Sequence, residues 1–421
     1  MLGKYSLSEV RFLFPCPEGG LAVSKYIIAG CDMSDRSLMV RIARDAAKPR
    51  TKPFANTEDG RFKMIGWLGA RAKEAGGAKI VFAYEAGPHG FGLHDVLTAH
   101  GIRCHVLAPS KMPTSPKKRK AKTDEKDAQA IFELLRGHVL AGNELPSVWV
   151  PDPETRQDRE TVRARLDVAD KARRVRTQVR MLLKRAEAAK PPTVGKGWGP
   201  KYRAWLRGLS GSGSPLGAGA RVMLGSLLRQ LDWLEEETAG LDRVVAALAR
   251  SDRYRISAAA LCAETGVGVL TAMVFLTEMG DLKRFSNRRQ VAAYLGLAPS
   301  SSETGRRDDC KGHITRHGSA RVRWVLCQAA WARVRNHPGE KAVYERLAAK
   351  NPKKKKIALV ACMRRLGIRL WHDGIEAEHG VRAASALPSP QGGKRQFALP
   401  ARPEMDRRRS PHEEEERRRA V

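Results

Sequence analysis

The residues with the clearest capacity for chemistry lie in the stretch AKTDEKDAQA, Ala121 to Ala130. Asp124 and Asp127 stand three positions apart, which on a helix places both on one face, one turn apart. Lys117, Lys118, Arg119 and Lys120 come immediately before them, and Lys122 stands between. Paired carboxylates beside dense positive charge suit a site where acids hold Mg²⁺ and lysines hold a phosphate backbone. Taken alone, the ten residues fit an exposed helix start better, with Thr123 or Asp124 as cap and acids favoured in the first turn. Two further acids change the balance. Asp32 ends the apolar run Tyr26 to Cys31, and Glu85 ends the run Ile80 to Tyr84.

These acids need a scaffold. Tyr26 to Asp32, Ser37 to Ile42, Lys79 to Glu85 and Cys104 to Ala108 read as strands. Arg61 to Ala75, Phe91 to His100 and the stretch from Asp124 read as helices, and Pro49 to Pro53 as a turn. Strands alternating with helices imply an α/β sheet, whose functional groups gather at strand ends. The order D…E…D-x-x-D at such positions forms a quartet that repels itself unless divalent metal neutralises it. That is the layout two-metal phosphoryl chemistry uses. It resembles RuvC-like, RNase H-type nuclease domains. His89, after a Gly-Pro turn, reads as an ordinary loop residue.

Lys and Arg number 77 against 45 Asp and Glu, a net charge of +32. Such a field selects a polyanion, nucleic acid first. No stretch approaches the roughly 20 apolar residues of a spanning helix, and Pro15 and Pro17 interrupt the early apolar patch, so neither a membrane span nor a signal peptide is expected. Seven scattered cysteines without a CxxC pair indicate reduced thiols and a cytoplasmic setting.

Residues 1–24 read as a leader, 25–150 as the α/β domain, 154–250 as an antiparallel helical hairpin or coiled coil, 255–378 as a mainly α domain, and 380–421 as a disordered tail. Val162, Leu166, Ala169, Ala172, Val175, Val179 and Leu182 follow three/four spacing. So do Leu224, Leu227, Leu231, Leu234, Thr238, Leu241, Val245 and Leu248. The arginines of the first helix either line a nucleic-acid channel or form a solvated face. Thr265 to Ala272 resembles a helix-hairpin-helix turn. Lys353 to Lys356 is a second basic run suited to nucleic acid.

Three longer phrases, GVGVLTAMVFLTEMGDLKRF, AAYLGLAP and GHITRHGSARVRWVLCQAAW, resemble the IS one-ten family of insertion-sequence transposases, the bridge-RNA-guided DNA recombinases, over residues 25–375. Asp32, Glu85, Asp124 and Asp127 fall where that family keeps its DEDD acids. The resemblance implies cutting and rejoining of DNA with a pair of Mg²⁺ ions on those acids, a structured guide RNA, a dimer or tetramer, and work at the bacterial nucleoid. It also implies a serine nucleophile directly before the glycine that comes after the Gly-Leu-x-Pro phrase. Here Thr304 stands at that place, before Gly305, with Ser302 just upstream as second choice. Lys311, Arg316, Arg321 and Arg323 are the nucleic-acid contacts expected around it. The alternatives are a metal nuclease of the Holliday-junction-resolving kind and a nucleic-acid-binding relative with impaired catalysis.

Overall fold

The computed structural model describes residues 25–112, 123–188, 197–301, 311–350 and 352–378. The expected leader and tail lie outside them. The chain divides into two compact units, residues 1–151 and 152–421.

The first unit is a five-stranded mixed sheet. Its strands are β1 (Tyr26–Met33), β2 (Ser37–Arg44), β3 (Arg50–Ala55), β4 (Lys79–Glu85) and β5 (Arg103–Leu107), in the order β3-β2-β1-β4-β5. The pairs β1–β2 and β2–β3 are antiparallel, while β1–β4 and β4–β5 are parallel. This α/β sheet is consistent with the RuvC-like expectation. Side chains alternate across it. Ile27, Ala29, Cys31, Phe82 and Tyr84 face one side, packing with Met64 and Leu68 of α1 (Glu58–Glu74) and Leu93 and Leu97 of α2 (Gly92–Ala99). Ile28, Val81 and Ala83 face the other, against Ile131, Phe132 and Leu135 of α3 (Asp124–Ala141). Residues 49–53, expected as a turn, instead enter β3. That strand is the half-exposed sheet edge, where Pro53 removes no ladder bond the core depends on.

Helix α3 lies unusually close to β1. A Cβ on Gly30 would sit 2.4 Å from the backbone nitrogen of Phe132. Gly30→Ala is therefore expected to push α3 off the sheet and destabilise the first unit by about 1–3 kcal/mol. Urea unfolding checks this, and an unchanged midpoint would contradict the packing.

The second unit is helical apart from one two-stranded ladder. Helices α4 (Pro153–Arg185) and α6 (Ala218–Ala249) pair along the expected apolar seams, with Val179, Leu182, Leu224, Leu227 and Leu231 buried between them. The connector carries a helix that its composition hid, α5 (Pro200–Ser210), started by Pro200 at its first turn and seated by Leu206. The hairpin is not separate from the helices C-terminal to it. Val162, Leu166, Val245 and Ala249 share one core with α7 (Arg255–Cys262), α8 (Val269–Met279), α9 (Arg288–Tyr294), α10 (Ala320–Asn336) and α12 (Lys355–Glu378). Helix α11 (Pro338–Lys350) precedes α12, and β6 (Pro299–Ser301) pairs antiparallel with β7 (Lys311–Ile314). No helix among the described residues is long and apolar enough to cross a membrane.

Candidate active site

Parallel register sets the first two acids side by side. Cys31 pairs with Tyr84 as the last registered pair of β1 and β4, so Asp32 and Glu85 come next at the same level on neighbouring strands. Alternation sends both to the face that carries Ile28 and Ala83, the face α3 covers. Both are half-buried.

The second pair comes from α3. Thr123 caps the helix by accepting a bond from the Lys126 amide, which settles the choice between Thr123 and Asp124 as cap. Asp127 stands one turn before the buried Ile131, and Asp124 one turn before the buried Ala128. The two acids therefore prolong the stripe that α3 lays on the sheet. Asp127 is half-buried and Asp124 exposed. Both also lie at the positive end of the helix dipole, which favours carboxylates with or without a metal.

Among the described residues no group of three or more acidic, histidine or cysteine side chains is gathered closely enough to hold a metal ion. Asp32 and Glu85 end strands on the sheet face that α3 covers, and Asp124 and Asp127 open that helix. Their chemistry nevertheless suits a hard divalent cation, because all are carboxylate oxygen donors. Like charges so placed repel until a cation neutralises them.

The turns beside the acids are joined by a contact that sequence did not flag. His89 Nε2 lies 3.4 Å from Asp35 Oδ1, linking the β1–β2 turn to the segment after β4. The Tyr84 hydroxyl donates to the Gly90 carbonyl at 3.3 Å on the same segment.

His105, on β5, packs edge-on against His138 of α3 with centroids 5.5 Å apart. Burial, then the charge of Arg103, lowers its pKa to about 4. The imidazole is thus neutral in the fold at neutral pH, while the unfolded chain takes up a proton near the ordinary value of 6.5. Between about 6.5 and about 4 the unfolded state holds more protons, so stability falls as pH falls through that window. His105→Gln should flatten this part of the curve in urea titrations at pH 7 and pH 5. An unchanged slope would assign the effect elsewhere.

In the second unit, residues 302–310 join β6 to β7, and Thr304 and Ser302 lie outside the described residues. Lys117, Lys118, Arg119, Lys120 and Lys122 do as well, and of Lys311 only the backbone, in β7, is described. Ser300 is engaged across the ladder, its hydroxyl donating to the His313 carbonyl at 3.0 Å. Arg316 is exposed, with φ of 57°. Arg321 forms a two-oxygen ion pair with Asp167 of α4, at 2.9 and 3.2 Å. Arg323 Nη1 donates to the carbonyls of Leu295 and Gly318.

Several α4 arginines are likewise committed within the chain. Arg163 forks onto the buried Glu278 at 2.8 and 3.2 Å, and Arg159 Nε donates to the Thr277 carbonyl at 3.0 Å. Arg165 forks onto Asp242, with Oδ2 at 3.1 Å from Nη2. These side chains dock α4 on α8 and α6, which fits neither a nucleic-acid channel nor a solvated face along that half of the helix. Arg284 lies against both the Phe285 and Tyr294 rings, 4.0 and 4.3 Å from their centroids, while the two rings meet each other edge to face at 5.2 Å, a contact that residue spacing gave no sign of. Lys353 to Lys356 are exposed, the first two in a 3-10 turn just before α12 and the other two opening that helix.

Two family models match the chain. Residues 29–187 match an IS110-type family model described as a transposase. Residues 258–345 match the model of the transposase IS116/IS110/IS902 family. A Sinorhizobium fredii protein named "Putative transposase y4qE" is 30% identical over 321 residues, 74% of each chain. A second protein of that organism, y4rJ, is 29% identical across 84% of this chain and 86% of its own. The transposase for insertion sequence element IS1533 of Leptospira borgpetersenii is 28% identical across 60% of this chain and 70% of its own length.

Proposed function

Because the chain belongs to the IS110 family of insertion-sequence transposases, enzymes that cut and rejoin DNA, we propose that it moves its own element by metal-assisted, RNA-guided strand transfer. The observation that carries this reading is the placement of Asp32 and Glu85 on adjacent parallel strand ends, facing the helix that begins with Asp124 and Asp127.

Those four carboxylates would hold Mg²⁺, with Asp32 and Glu85 fixed by the sheet and Asp124 and Asp127 supplied by the helix start. Bound there, the ion would supply charge stabilisation to the oxygens entering and leaving phosphorus. The hydroxyl of Thr304, or of Ser302, attacks a DNA phosphorus and displaces a deoxyribose hydroxyl. The reverse step on a second end restores the phosphodiester. The reading takes the acids from residues 32–127 and the hydroxyl from residues 302–304, and expects the protein to work as a dimer or tetramer. A guide RNA would choose the target by base pairing while the basic surface holds backbone phosphates.

The test is excision from a supercoiled donor plasmid with Mg²⁺, purified protein and RNA transcribed from the element's flank. Joined products should require the RNA, and RNase treatment beforehand should abolish them. Joining that survives RNase removes the guide from the account. The +32 charge further predicts that log affinity for either nucleic acid falls steeply with log salt. A flat response in filter binding would exclude phosphate contacts as the main source of affinity.

A further inference from the structure

We propose that Arg323 is a positioning residue for strand transfer: it pins the base of the β6–β7 ladder instead of contacting nucleic acid. Its consequence for chemistry rests on the reading that residues 302–310 carry the attacking hydroxyl.

Three chain segments meet at that base. Arg323 Nη1 donates to Leu295 O at 3.3 Å and to Gly318 O at 2.6 Å. One nitrogen thus ties the segment entering β6 to the segment leaving β7. The two segments are also bonded directly. The Thr315 amide donates to Ala298 O at 2.9 Å, and the Arg316 amide to Gly296 O at 3.2 Å.

Glycines make the approach possible. Gly296 has φ of 66°, and a Cβ there would meet Arg323 Nη1 at 2.8 Å and the Gly318 nitrogen at 2.9 Å. A Cβ on Gly318 would lie 1.9 Å from the Tyr294 carbonyl oxygen. Backbone crowds backbone here, and the guanidinium closes the remaining gap.

The position is a poor one for a phosphate ligand. Burial, then the neighbouring Arg316 charge, pushes the Arg323 pKa below its ordinary value, and Nη1 is already shared by two carbonyls. Arg316, exposed beside it, is free of that arrangement and better placed to meet an anion. Fixing the two strands at one point sets where the described chain breaks off after Ser301 and resumes at Lys311, and an error near 1 Å in the placement of a reacting group costs on the order of 10²-fold in rate.

The experiment compares the full-length wild type with Arg323→Met and Arg323→Lys. The first arm is amide exchange over residues 296–301 and 311–318. Met should speed exchange there and leave the rest of α10 protected, while Lys, whose ammonium can bond both carbonyls, should restore protection. The second arm is the salt dependence of binding to element-end DNA. The slope of log affinity against log salt should match the wild type in both variants. Loss of one phosphate contact would reduce it by about 0.9.

The third arm is single-turnover formation of the protein–DNA link at saturating DNA. It should slow by about 10²-fold in Met and recover partly in Lys. Wild-type exchange in Met, faster exchange throughout α10, or a slope smaller by one contact would each overturn the proposal. If the wild type forms no link, the nucleophile reading fails while the exchange and salt arms still decide the clamp.

Discussion

Asp32→Asn should leave nucleic-acid affinity close to wild type and reduce DNA strand cleavage by about three orders of magnitude. Removing a group that stabilises charge only in the transition state lowers the chemical rate by about 10²–10³, and a missing metal ligand acts on every strand cut. Glu85→Gln should match it, because the register gives the two acids equivalent places on β1 and β4. Both substitutions keep shape and remove charge at half-buried positions that face α3, so the fold should persist. Cleavage rates under single turnover, measured beside binding and thermal unfolding, separate the effects. If either variant cuts at more than a tenth of the wild-type rate, that carboxylate is not a metal ligand for the reaction.

The second large effect concerns the hydroxyl. Thr304→Ala should abolish the covalent protein–DNA adduct on an element-end substrate supplied with its RNA. Loss of a covalent nucleophile costs roughly 10⁴-fold or more, since no other group forms the same bond. Ser302→Ala should leave the adduct in place. The reverse pattern would move the nucleophile two residues upstream. Thr304→Ser offers a further check, because the methyl group of threonine hinders attack and serine should react at least as fast. A wild-type protein that forms no adduct while Thr304→Ser does would be an impaired transposase.

Much of the sheet was legible because burial on both faces writes itself as continuous apolar runs. Tyr26 to Cys31 and Ile80 to Tyr84 show no polar alternation, and the acids that end them mark the strand tips. Strand β3 was hidden for the opposite reason. Arg50, Lys52 and Pro53 are tolerated only because the strand is an edge, and edge position is a property of the assembled sheet. The register that puts Asp32 beside Glu85 depends on how β1 and β4 pair, which neither segment specifies alone.

The seams of α4 and α6 were correct as apolar stripes, but spacing cannot say what covers them. Val179 meets the hairpin partner, while Val162 belongs to the core of the C-terminal helices. Charge was the least legible feature. Arg321 and Arg323 are expected as nucleic-acid contacts from the family resemblance, and nothing in their spacing shows that the first pairs with Asp167 and the second bonds two carbonyls. A guanidinium looks the same in sequence whether it meets a phosphate or its own chain.

The central claim is that acids from two strand ends and one helix start form a single divalent-metal site. Iron-mediated backbone cleavage tests it most directly. Fe²⁺ replaces Mg²⁺ in oxygen-ligand sites, and with ascorbate and peroxide it cuts the chain beside wherever it is bound. A shared site predicts cuts near residues 32, 85 and 124–127 together, suppressed by excess Mg²⁺ and lost from all three segments in Asp32→Asn. Cuts confined to one segment, or unchanged at 124–127 when Asp32 is replaced, would contradict it.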